Sequence, residues 1–245
     1  MEALALIGGT GLDHWGEAQG THALDTPYGP HSGPIARFDV GGRTLWFLPR
    51  HGADHRLAPH LVNYRANLWA LKSLGAERVL AVNAVGGITA RCAPGSLVVP
   101  DGVIDYTYGR EHTFSDSAEV PLVHTEFAHP FEGPLRDAVV AAAGQVGVAF
   151  TDGGCVGVCQ GPRFETAHEV RRLARDGCDV VGMTSMPEAV LARELGLDYA
   201  AIQPVANWAA GVDDAPISVE AIDETLRGAV DGIRRIIAAL LGDRG

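Results

Sequence analysis

Arg50 and His51, which follow the apolar run Thr44–Leu48, are the residues best suited to bind an anion. A guanidinium group is planar and permanently charged, which matches a phosphate group, and the imidazole adds a second donor. Thr10 lies in the glycine-rich segment Gly8–Gly11, where backbone N–H groups can approach an anion closely. Since open α/β sheets bind ligands beyond the carboxyl ends of their strands, these segments predict a phosphate site. Taken singly, a plain strand-end turn and an arginine in a surface ion pair are the alternatives.

Two other kinds of site fit these segments less well. A dinucleotide-binding turn needs a third glycine where this chain has His14, and a Walker motif needs a Gly-Lys pair that the sequence lacks. His51, His55 and His60 are close enough in sequence to suggest a metal site, but no carboxylate completes a zinc-like set and Pro59 limits any helix there. We therefore expect no metal.

The composition is typical of a globular domain rather than of a disordered or nucleic-acid-binding chain. The 245 residues are 47% apolar and 20% charged, and the formal net charge of −11 disfavours nucleic-acid binding, which needs clustered lysine and arginine. The N-terminus Met1–Leu4 lacks the basic region of a signal peptide, and no apolar run approaches the ~18 residues that span a bilayer. We expect a soluble, cytoplasmic protein with no membrane partner.

The cysteines are predicted to be reduced and mostly buried. Cys155 and Cys159 lie in one strand-like run, where four steps along a strand separate them by roughly 13 Å, too far for a disulfide. No Cys-x-x-Cys zinc pattern includes these two or the remaining pair, Cys92 and Cys178.

Strand-like apolar runs alternate with helical patterns along the whole chain, which predicts an α/β fold with helices on both sides of a sheet. Strands are predicted at Ala3–Ile7, Ile35–Val40, Thr44–Leu48, Arg78–Val82, Leu97–Val99, Asp179–Val181 and Tyr199–Val205. Helices are predicted at Leu61–Leu74, Thr166–Arg175 and Pro187–Leu195, and from about Ser218 onward. Residues 105–131 have little periodicity and several histidines, which indicates a long functional loop within a single domain of residues 1–245.

Three widely separated segments carry a resemblance to a known family. Gln160–Thr166, Gly182–Glu188 and Asn207 together resemble the nucleoside-pocket signature of the trimeric purine nucleoside and methylthioadenosine phosphorylases. The resemblance extends from Gly8 to about Leu241. It implies a single-domain phosphorylase fold with a mixed central sheet, inorganic phosphate as co-substrate, no organic cofactor or metal, and a homotrimer. In such a trimer a neighbouring subunit closes the sugar side of the site, and His112 or His129 could supply that contact.

The resemblance also implies roles for individual residues. Phosphate would be bound by Thr10, Arg50, His51, Asn83, the backbone of Ala84, and Thr184. Asn83 stands where relatives often carry a small hydroxyl residue, although an amide can also donate. The nucleoside would be contacted by Phe164, Glu165, Met183, Asn207, Ala209 and Val219, with Glu188 near the sugar. Arg50, His51 and Asn207 would be the catalytic groups.

Glu165 and Asn207 bear on which purine is cleaved. A 6-oxopurine offers an acceptor at O6 and a donor at N1, which an amide and a carboxylate can match. Methylthioadenosine phosphorylases generally carry aspartate at the position of Asn207 and a second aspartate two places on, where this chain has Ala209. Because an ionised aspartate would repel O6, both differences favour a 6-oxopurine.

Val219 bears on the 5′ substituent of the sugar. Relatives that cleave inosine bind the 5′-hydroxyl with a histidine at the start of the last helix, where this chain has Val219. An apolar side chain favours an S-methyl group over a hydroxyl. The sequence therefore predicts phosphorolysis of S-methyl-5′-thioinosine. Alternatives are phosphorolysis of inosine and guanosine, or of methylthioadenosine. A non-catalytic nucleoside-binding module and a metal-dependent purine deaminase are further classes, which phosphate dependence and metal content would distinguish.

Overall fold

The computed structural model describes residues 3–12 and 14–242, and its short apolar runs pair into one large sheet. The strands in this part of the chain are β1 (Ala3–Gly8), β2 (Gly20–His22), β3 (Ile35–Val40), β4 (Arg43–Pro49), β5 (Ala76–Val82), β6 (Val85–Gly87), β7 (Leu97–Val99), β8 (Gly102–Asp105), β9 (Thr151–Asp152), β10 (Cys155–Val158), β11 (Val180–Gly182) and β12 (Asp198–Trp208). The α-helices are α1 (Tyr64–Ser73), α2 (Pro134–Gln145), α3 (Ala167–Arg175), α4 (Ser185–Glu194) and α5 (Val219–Leu241).

The sheet is mixed. Its hydrogen-bonded order is β2-β3-β4-β1-β5-β12-β6-β11-β10-β8, and β7 joins from the side by pairing with β12 and β9. Strands β4, β1, β5 and β12 are parallel neighbours, whereas β3–β4, β6–β11 and β7–β12 are antiparallel pairs. This architecture confirms the predicted α/β class and the mixed central sheet flanked by helices.

Alternating apolar side chains fill both faces of the sheet. On β1, Leu4 and Leu6 face one core while Ala5 and Ile7 face the other, as the period of a strand requires. The first core is closed by α2 and α5, whose Ile233 is fully buried. The second core is closed by α1 and α4. Burial on both faces fixes the register of the central strands, and this holds their carboxyl ends at one edge.

The carboxyl ends of the parallel strands bring the predicted phosphate residues together. Gly8 is the Cα partner of Pro49 across β1 and β4, so the segments that carry Thr10 and Arg50 leave the sheet side by side. Asn83 follows β5 directly, on the other side of β1. Distant parts of the sequence therefore meet at this edge because of strand order, as open α/β sheets favour.

Capping residues explain where several helices begin and end. Helix α3 begins at a capping box in which Thr166 and Glu169 each satisfy the other's backbone N–H. Ser218 caps α5 by accepting from the backbone N–H of Ala221. Gly75 has φ +84° beyond the end of α1, a conformation that glycine adopts without strain.

Several elements differ from the sequence-based expectation. Helix α1 begins at Tyr64 rather than Leu61, because Pro59–Leu61 forms a separate 3-10 turn and Asn63 caps the helix. Helix α2 was not predicted, although Pro134 at its first position is a known start signal. Residues 106–133 form no helix or strand, which confirms the irregular segment. No helix within residues 3–12 and 14–242 combines the length and the apolar character that crossing a membrane requires.

Candidate active site

A cavity of about 460 Å³ opens at this edge of the sheet. Of the residues predicted for the site, those that line it are Thr10, Arg50, His51, Ala84, Thr184, Phe164, Glu165, Met183, Asn207, Ala209 and Val219. Asn83 and Glu188 do not line it, since both side chains are buried behind the wall. The volume falls within the range of pockets that enclose a small organic ligand.

Arg50 is fully buried at the phosphate end of the cavity, and much of its guanidinium is already bonded. Nε and Nη2 donate to the two carboxylate oxygens of Glu188 at 2.7 and 2.9 Å, and Nη1 donates to the carbonyl of Val82 at 2.8 Å. Burial acts to lower the pKa of Arg50, but the charge and hydrogen bonds of Glu188 outweigh this effect and the pKa is raised, so the arginine stays charged. The bidentate face expected for phosphate is therefore occupied by protein, and a ligand can bind only through the remaining N–H groups of Nη1 and Nη2.

Glu188 lies behind Arg50 and not beside a sugar. It is 1% exposed, does not line the cavity, and accepts a further hydrogen bond from the hydroxyl of Tyr199 at 2.9 Å. The expected position near the sugar is thus wrong, because the first turn of α4 points this side chain into the core. Its two oxygens instead hold Arg50 in one orientation.

Gly9 allows Arg50 to reach its position. A Cβ atom at Gly9 would lie 2.6 Å from Nη1 of Arg50 and 2.7 Å from the carbonyl oxygen of Val82. Neither neighbour can move easily, since the arginine is held by Glu188 and Val82 belongs to a central strand. The glycine here serves the close approach of the guanidinium to the backbone.

His51 is oriented by a backbone carbonyl. Its Nδ1 lies 2.7 Å from the carbonyl oxygen of Leu57, and because a carbonyl only accepts, Nδ1 carries the proton. Its ring packs on that of His55, with centroids 4.6 Å apart. Nε2 of His55 lies 3.4 Å from the hydroxyl of Thr10, and His55 also lines the cavity. Sequence reasoning considered His55 only as a metal ligand. Its position four residues after His51 was the feature that could have indicated that the two side chains lie together.

Asn83 contacts the side chain of Thr184 from the side away from the cavity. Its Nδ2 donates to Oγ1 of Thr184 at 2.9 Å, and both side chains are buried. Since the hydroxyl oxygen accepts from the amide, its hydrogen is left to point elsewhere. Asn83 is therefore suited to orient a phosphate donor, and the direct phosphate contact expected for its side chain is not supported by its position.

Asn207 follows a bulge in β12. Val205 pairs with Val85 and Asn207 pairs with Gly86, so Ala206 is an extra residue that re-aims the strand toward the cavity. Nδ2 of Asn207 donates to the carbonyl of Trp208 at 2.6 Å, which identifies the nitrogen end of the amide. The carbonyl oxygen and the second N–H of the amide remain to contact a ligand.

Glu165 lies in a poorly hydrated part of the cavity wall. Its Oε1 is buried without a hydrogen-bond partner within the described structure, and desolvation raises the pKa of this carboxyl. Cys159 donates to it, which partly opposes that rise, and burial raises the pKa of the Cys159 thiol to about 12. Phe164 lies beside it in sequence, lines the cavity and is 44% exposed, so one face of its ring is accessible for stacking. An unpartnered buried oxygen in a cavity indicates a donor on the ligand.

Apolar side chains from the start of α5 form another part of the wall. Val219 is the first residue of the helix, and Ile217 and Ile222 line the cavity with it. Ile222 packs on Ala206 in a small cluster that reaches the bulge of β12. Asp223 also lines the cavity and is exposed. Sequence reasoning assigned only Val219 to the site, although Ile222 lies three positions further along the same helix and Ile217 lies just before its N-cap.

Met183 and Ala209 occupy the wall between these regions. Ala209 is 2% exposed, and its backbone N–H donates to the carbonyl of Gly87 at 2.8 Å. A Cβ atom at Gly161 would lie 2.6 Å from the sulfur of Met183, so the loop after β10 packs directly on this side chain.

Neither histidine considered for a neighbouring subunit lines the cavity of its own chain. His112 lies 3.5 Å from the carboxylate of Asp105, and His129 is exposed. Among the described residues, no three His, Cys, Asp or Glu side chains are grouped as a metal site would require.

Comparisons with known proteins point to one family. The family model of the phosphorylase superfamily matches residues 3–242. A protein of Xanthomonas campestris pv. campestris, described as a probable S-methyl-5'-thioinosine phosphorylase, is 50% identical over 242 residues, which cover 97% of this chain and 96% of that protein. The S-methyl-5'-thioadenosine phosphorylase of Mycolicibacterium smegmatis is 48% identical over 211 residues, covering 86% and 78% of the two chains.

A solved structure shares the whole fold. The methylthioadenosine phosphorylase of Schistosoma mansoni in complex with adenine superposes with a TM-score of 0.93 at 32% identity, covering 99% of this chain and 91% of that one. The likeness therefore extends over nearly the whole length of this chain.

Proposed function

Because this chain belongs to the phosphorylase superfamily, we propose that it cleaves S-methyl-5′-thioinosine with inorganic phosphate. The products are hypoxanthine and S-methyl-5-thio-α-D-ribose 1-phosphate. One observation carries the choice of substrate: a cavity with Asn207 and Glu165 in one part of its wall has apolar Ile217, Val219 and Ile222 in another. The first pair suits a 6-oxopurine, and the second set suits a methylthio group.

The proposed phosphate site consists of Arg50, His51, Thr10, Thr184 and the backbone of Ala84. An oxygen of the phosphate attacks C1′ while the bond from C1′ to N9 breaks and its electrons pass to the purine. The transition state resembles an oxocarbenium ion, so a phosphate anion held close to C1′ stabilises it. Arg50 is preorganised for this because Glu188 and Val82 fix its guanidinium before phosphate binds.

Asn207 would stabilise the departing purine. Its carbonyl oxygen accepts a hydrogen bond from a protonated N7, and its second N–H donates to O6. An amide cannot supply a proton, so the proton on N7 either comes from solvent or is already on the base when it binds. Ionised Glu165 accepts from N1–H, which satisfies its buried Oε1.

Methylthioadenosine is the second candidate substrate, and the environment of Glu165 favours it. Burial raises the pKa of this carboxyl, and a protonated carboxyl can donate to the bare N1 of a 6-aminopurine. Asn207 can then accept from the 6-amino group through its carbonyl oxygen. The protonation state of Glu165 therefore bears directly on the choice of base.

We also propose that the enzyme is a cytoplasmic homotrimer that needs no cofactor and uses inorganic phosphate as its co-substrate. The apolar wall at Val219 is 60% exposed in the single chain, which supports a neighbouring subunit closing the sugar side. Cytoplasmic placement is supported by the free, partly buried cysteines, which suit a reducing compartment.

The test is phosphate-dependent cleavage of methylthioinosine, methylthioadenosine and inosine at equal concentrations, measured as kcat/KM. We expect methylthioinosine to be preferred over methylthioadenosine by about 10²–10⁴, the range expected from mismatched buried polar contacts. Preference for inosine would contradict the apolar assignment of Val219, and preference for methylthioadenosine would contradict the assignment of Asn207.

A substitution tests the sugar end separately. Val219→His should raise kcat/KM for inosine and lower it for methylthioinosine, because the imidazole can bond a 5′-hydroxyl. Val120→His is the matched control, since Val120 is partly exposed in the irregular segment and does not line the cavity. Loss of activity with every substrate in both variants would indicate unfolding rather than altered specificity.

A further inference from the structure

Arg110 is a buried cation in the irregular segment that follows β8. It is 9% exposed, and its guanidinium inserts between the loop after β10 and the turn between β11 and α4. These two segments carry Glu165 and Phe164 on one side and Met183 and Thr184 on the other. Sequence reasoning assigned the segment a functional role without identifying this residue.

Arg110 donates mainly to backbone carbonyls from both segments, with longer contacts of 3.3 Å to the side-chain oxygen of Gln160 and 3.4 Å to the hydroxyl of Tyr64. Nη1 donates to the carbonyl oxygens of Met183 at 2.9 Å and Met186 at 2.6 Å. Nη2 donates to the carbonyl oxygen of Gln160 at 2.8 Å, with a longer contact of 3.4 Å to that of Cys159. The planar fork thus joins two loops that do not pair with each other through strand hydrogen bonds at these positions.

No carboxylate within the described residues forms an ion pair with Arg110, unlike Arg50 with Glu188. Desolvation lowers the pKa of Arg110, because burying the charged form costs free energy. The hydrogen bonds to the carbonyl oxygens of Met183, Met186 and Gln160 offset part of that cost. The same hydrogen bonds restrict the directions of the peptide groups that accept them.

The direction of one peptide group follows from the contact with Met183. The peptide bond between Met183 and Thr184 is trans, so its C=O and N–H point in opposite directions. Because the carbonyl points at Arg110, the N–H of Thr184 points away from it. Thr184 lines the cavity, and its hydroxyl is held from behind by Asn83. Both donors of Thr184 are therefore fixed by buried side chains.

We propose that Arg110 is a positioning residue that aims the backbone N–H of Thr184 at the phosphate and holds the loop of Glu165 in register with it. This inference rests on the proposed function, since it concerns the same phosphate site. It does not depend on which nucleoside is cleaved. The guanidinium acts through its fork, because a single ammonium group cannot reach both the Met183 and Gln160 carbonyls with the same geometry.

The experiment measures binding of inorganic phosphate to the full chain by calorimetry, together with the KM for phosphate and kcat. Arg110→Lys keeps the charge and removes the fork, and Arg110→Met removes both. We expect each variant to weaken phosphate binding by about tenfold or more, because a misplaced donor loses most of its effect. Arg65→Met is the matched control, since Arg65 also bonds within the irregular segment, at Asp116, but does not line the cavity.

Chemical rescue separates positioning from general support of the fold. Added guanidinium chloride at millimolar concentration should restore part of the phosphate affinity of Arg110→Ala and leave Arg65→Ala unchanged. If Arg110→Met does not fold, Arg110→Lys and the rescue still decide the question. Wild-type phosphate affinity in a folded Arg110→Lys variant, or the absence of any rescue, would overturn the proposal.

The readouts keep this inference distinct from the proposed function. Phosphate binding by calorimetry requires no nucleoside, so a different preferred nucleoside would leave the test of Arg110 intact. If wild-type protein binds no phosphate, the proposed phosphorolysis fails and this inference fails with it. If wild type binds phosphate and the Arg110 variants bind it equally well, only the positioning role fails.

Discussion

Glu188 holds the guanidinium of Arg50 with both carboxylate oxygens, at 2.7 and 2.9 Å, in a region where neither side chain is more than 1% exposed. The hydroxyl of Tyr199 completes the arrangement by donating to the same carboxylate. The arginine proposed to bind phosphate is thus held by a carboxylate that does not line the cavity. The arrangement reduces the number of donors available to phosphate but fixes the direction of those that remain.

Glu188→Gln should strongly destabilise the protein and weaken phosphate binding. Removing one partner of a buried pair leaves the other charge uncompensated, which costs about 3–5 kcal/mol of the free energy of unfolding. Urea denaturation and the KM for phosphate measure the two effects. Glu111→Gln is the control, because Glu111 is 69% exposed in its pair with Arg65 and its loss should cost below about 1 kcal/mol. Equal stability of the two variants would contradict the role given to Glu188.

Gly9→Ala should abolish most of the phosphorolysis. The added methyl group would lie 2.6 Å from Nη1 of Arg50, and the fixed arginine has no space to retreat. We expect kcat/KM to fall by about 10² or more, as for other small displacements of a catalytic group. Gly16→Ala is the matched control, since nothing lies within 4 Å of a Cβ atom there. Similar activities of the two variants would show that Arg50 tolerates displacement.

Asn207→Asp should shift the preference from methylthioinosine toward methylthioadenosine. A carboxylate repels O6 of hypoxanthine and accepts from the 6-amino group of adenine, so the ratio of the two kcat/KM values should fall by about 10–10². Because both substrates carry the same sugar, the ratio cancels changes in the sugar and phosphate sites. An unchanged ratio would mean that Asn207 does not read the base.

The preference between bases should also depend on pH through Glu165. Desolvation raises the pKa of this carboxyl, so as the pH falls it takes up a proton before an ordinary glutamate would, whose pKa is about 4.3. Protonation removes the acceptor for N1–H and creates a donor for a bare N1. The ratio of kcat/KM for methylthioinosine to that for methylthioadenosine should therefore fall toward acid pH.

Glu165→Gln supplies the control for this pH profile, since glutamine does not titrate. In the variant, the ratio of the two kcat/KM values should no longer fall toward acid pH. Any change in the ratio that comes from the titration of phosphate should remain. If the profile of the variant matches that of the wild type, another group controls the choice of base.

The sequence alone predicts which segments meet, and strand order explains why. Thr10 and Arg50 follow strands that are parallel neighbours, so a sheet with parallel central strands brings them to one edge. Thr184 follows β11, which pairs antiparallel with β6, so its place at this edge depends on how the chain packs in three dimensions. The partner of Arg50 could not be predicted in this way, because Glu188 is 138 positions away and its direction depends on how α4 packs. In the sequence, a glutamate in the first turn of a helix looks the same whether it is exposed to solvent or buried as a counter-ion.

Other differences have equally local causes. Asn83 follows its strand as expected, but its side chain turns away from the cavity to reach Thr184, and no pattern of residue types encodes that rotation. Arg110 lies in a segment without periodicity. Without a helix or strand pattern, the sequence does not predict which way its side chain points. Ile217 and Ile222 could have been recognised, since both lie within three residues of Val219.

The two ends of the cavity are built from different elements of the chain. The residues proposed to contact the base lie in the loop after β10 and at the end of β12, whereas the apolar wall comes from the approach to α5 and its first turn. Mutation can therefore alter the base preference without touching the sugar pocket, and the reverse also holds. We therefore expect that relatives with this scaffold have changed their preference for the base and for the 5′ substituent through separate substitutions.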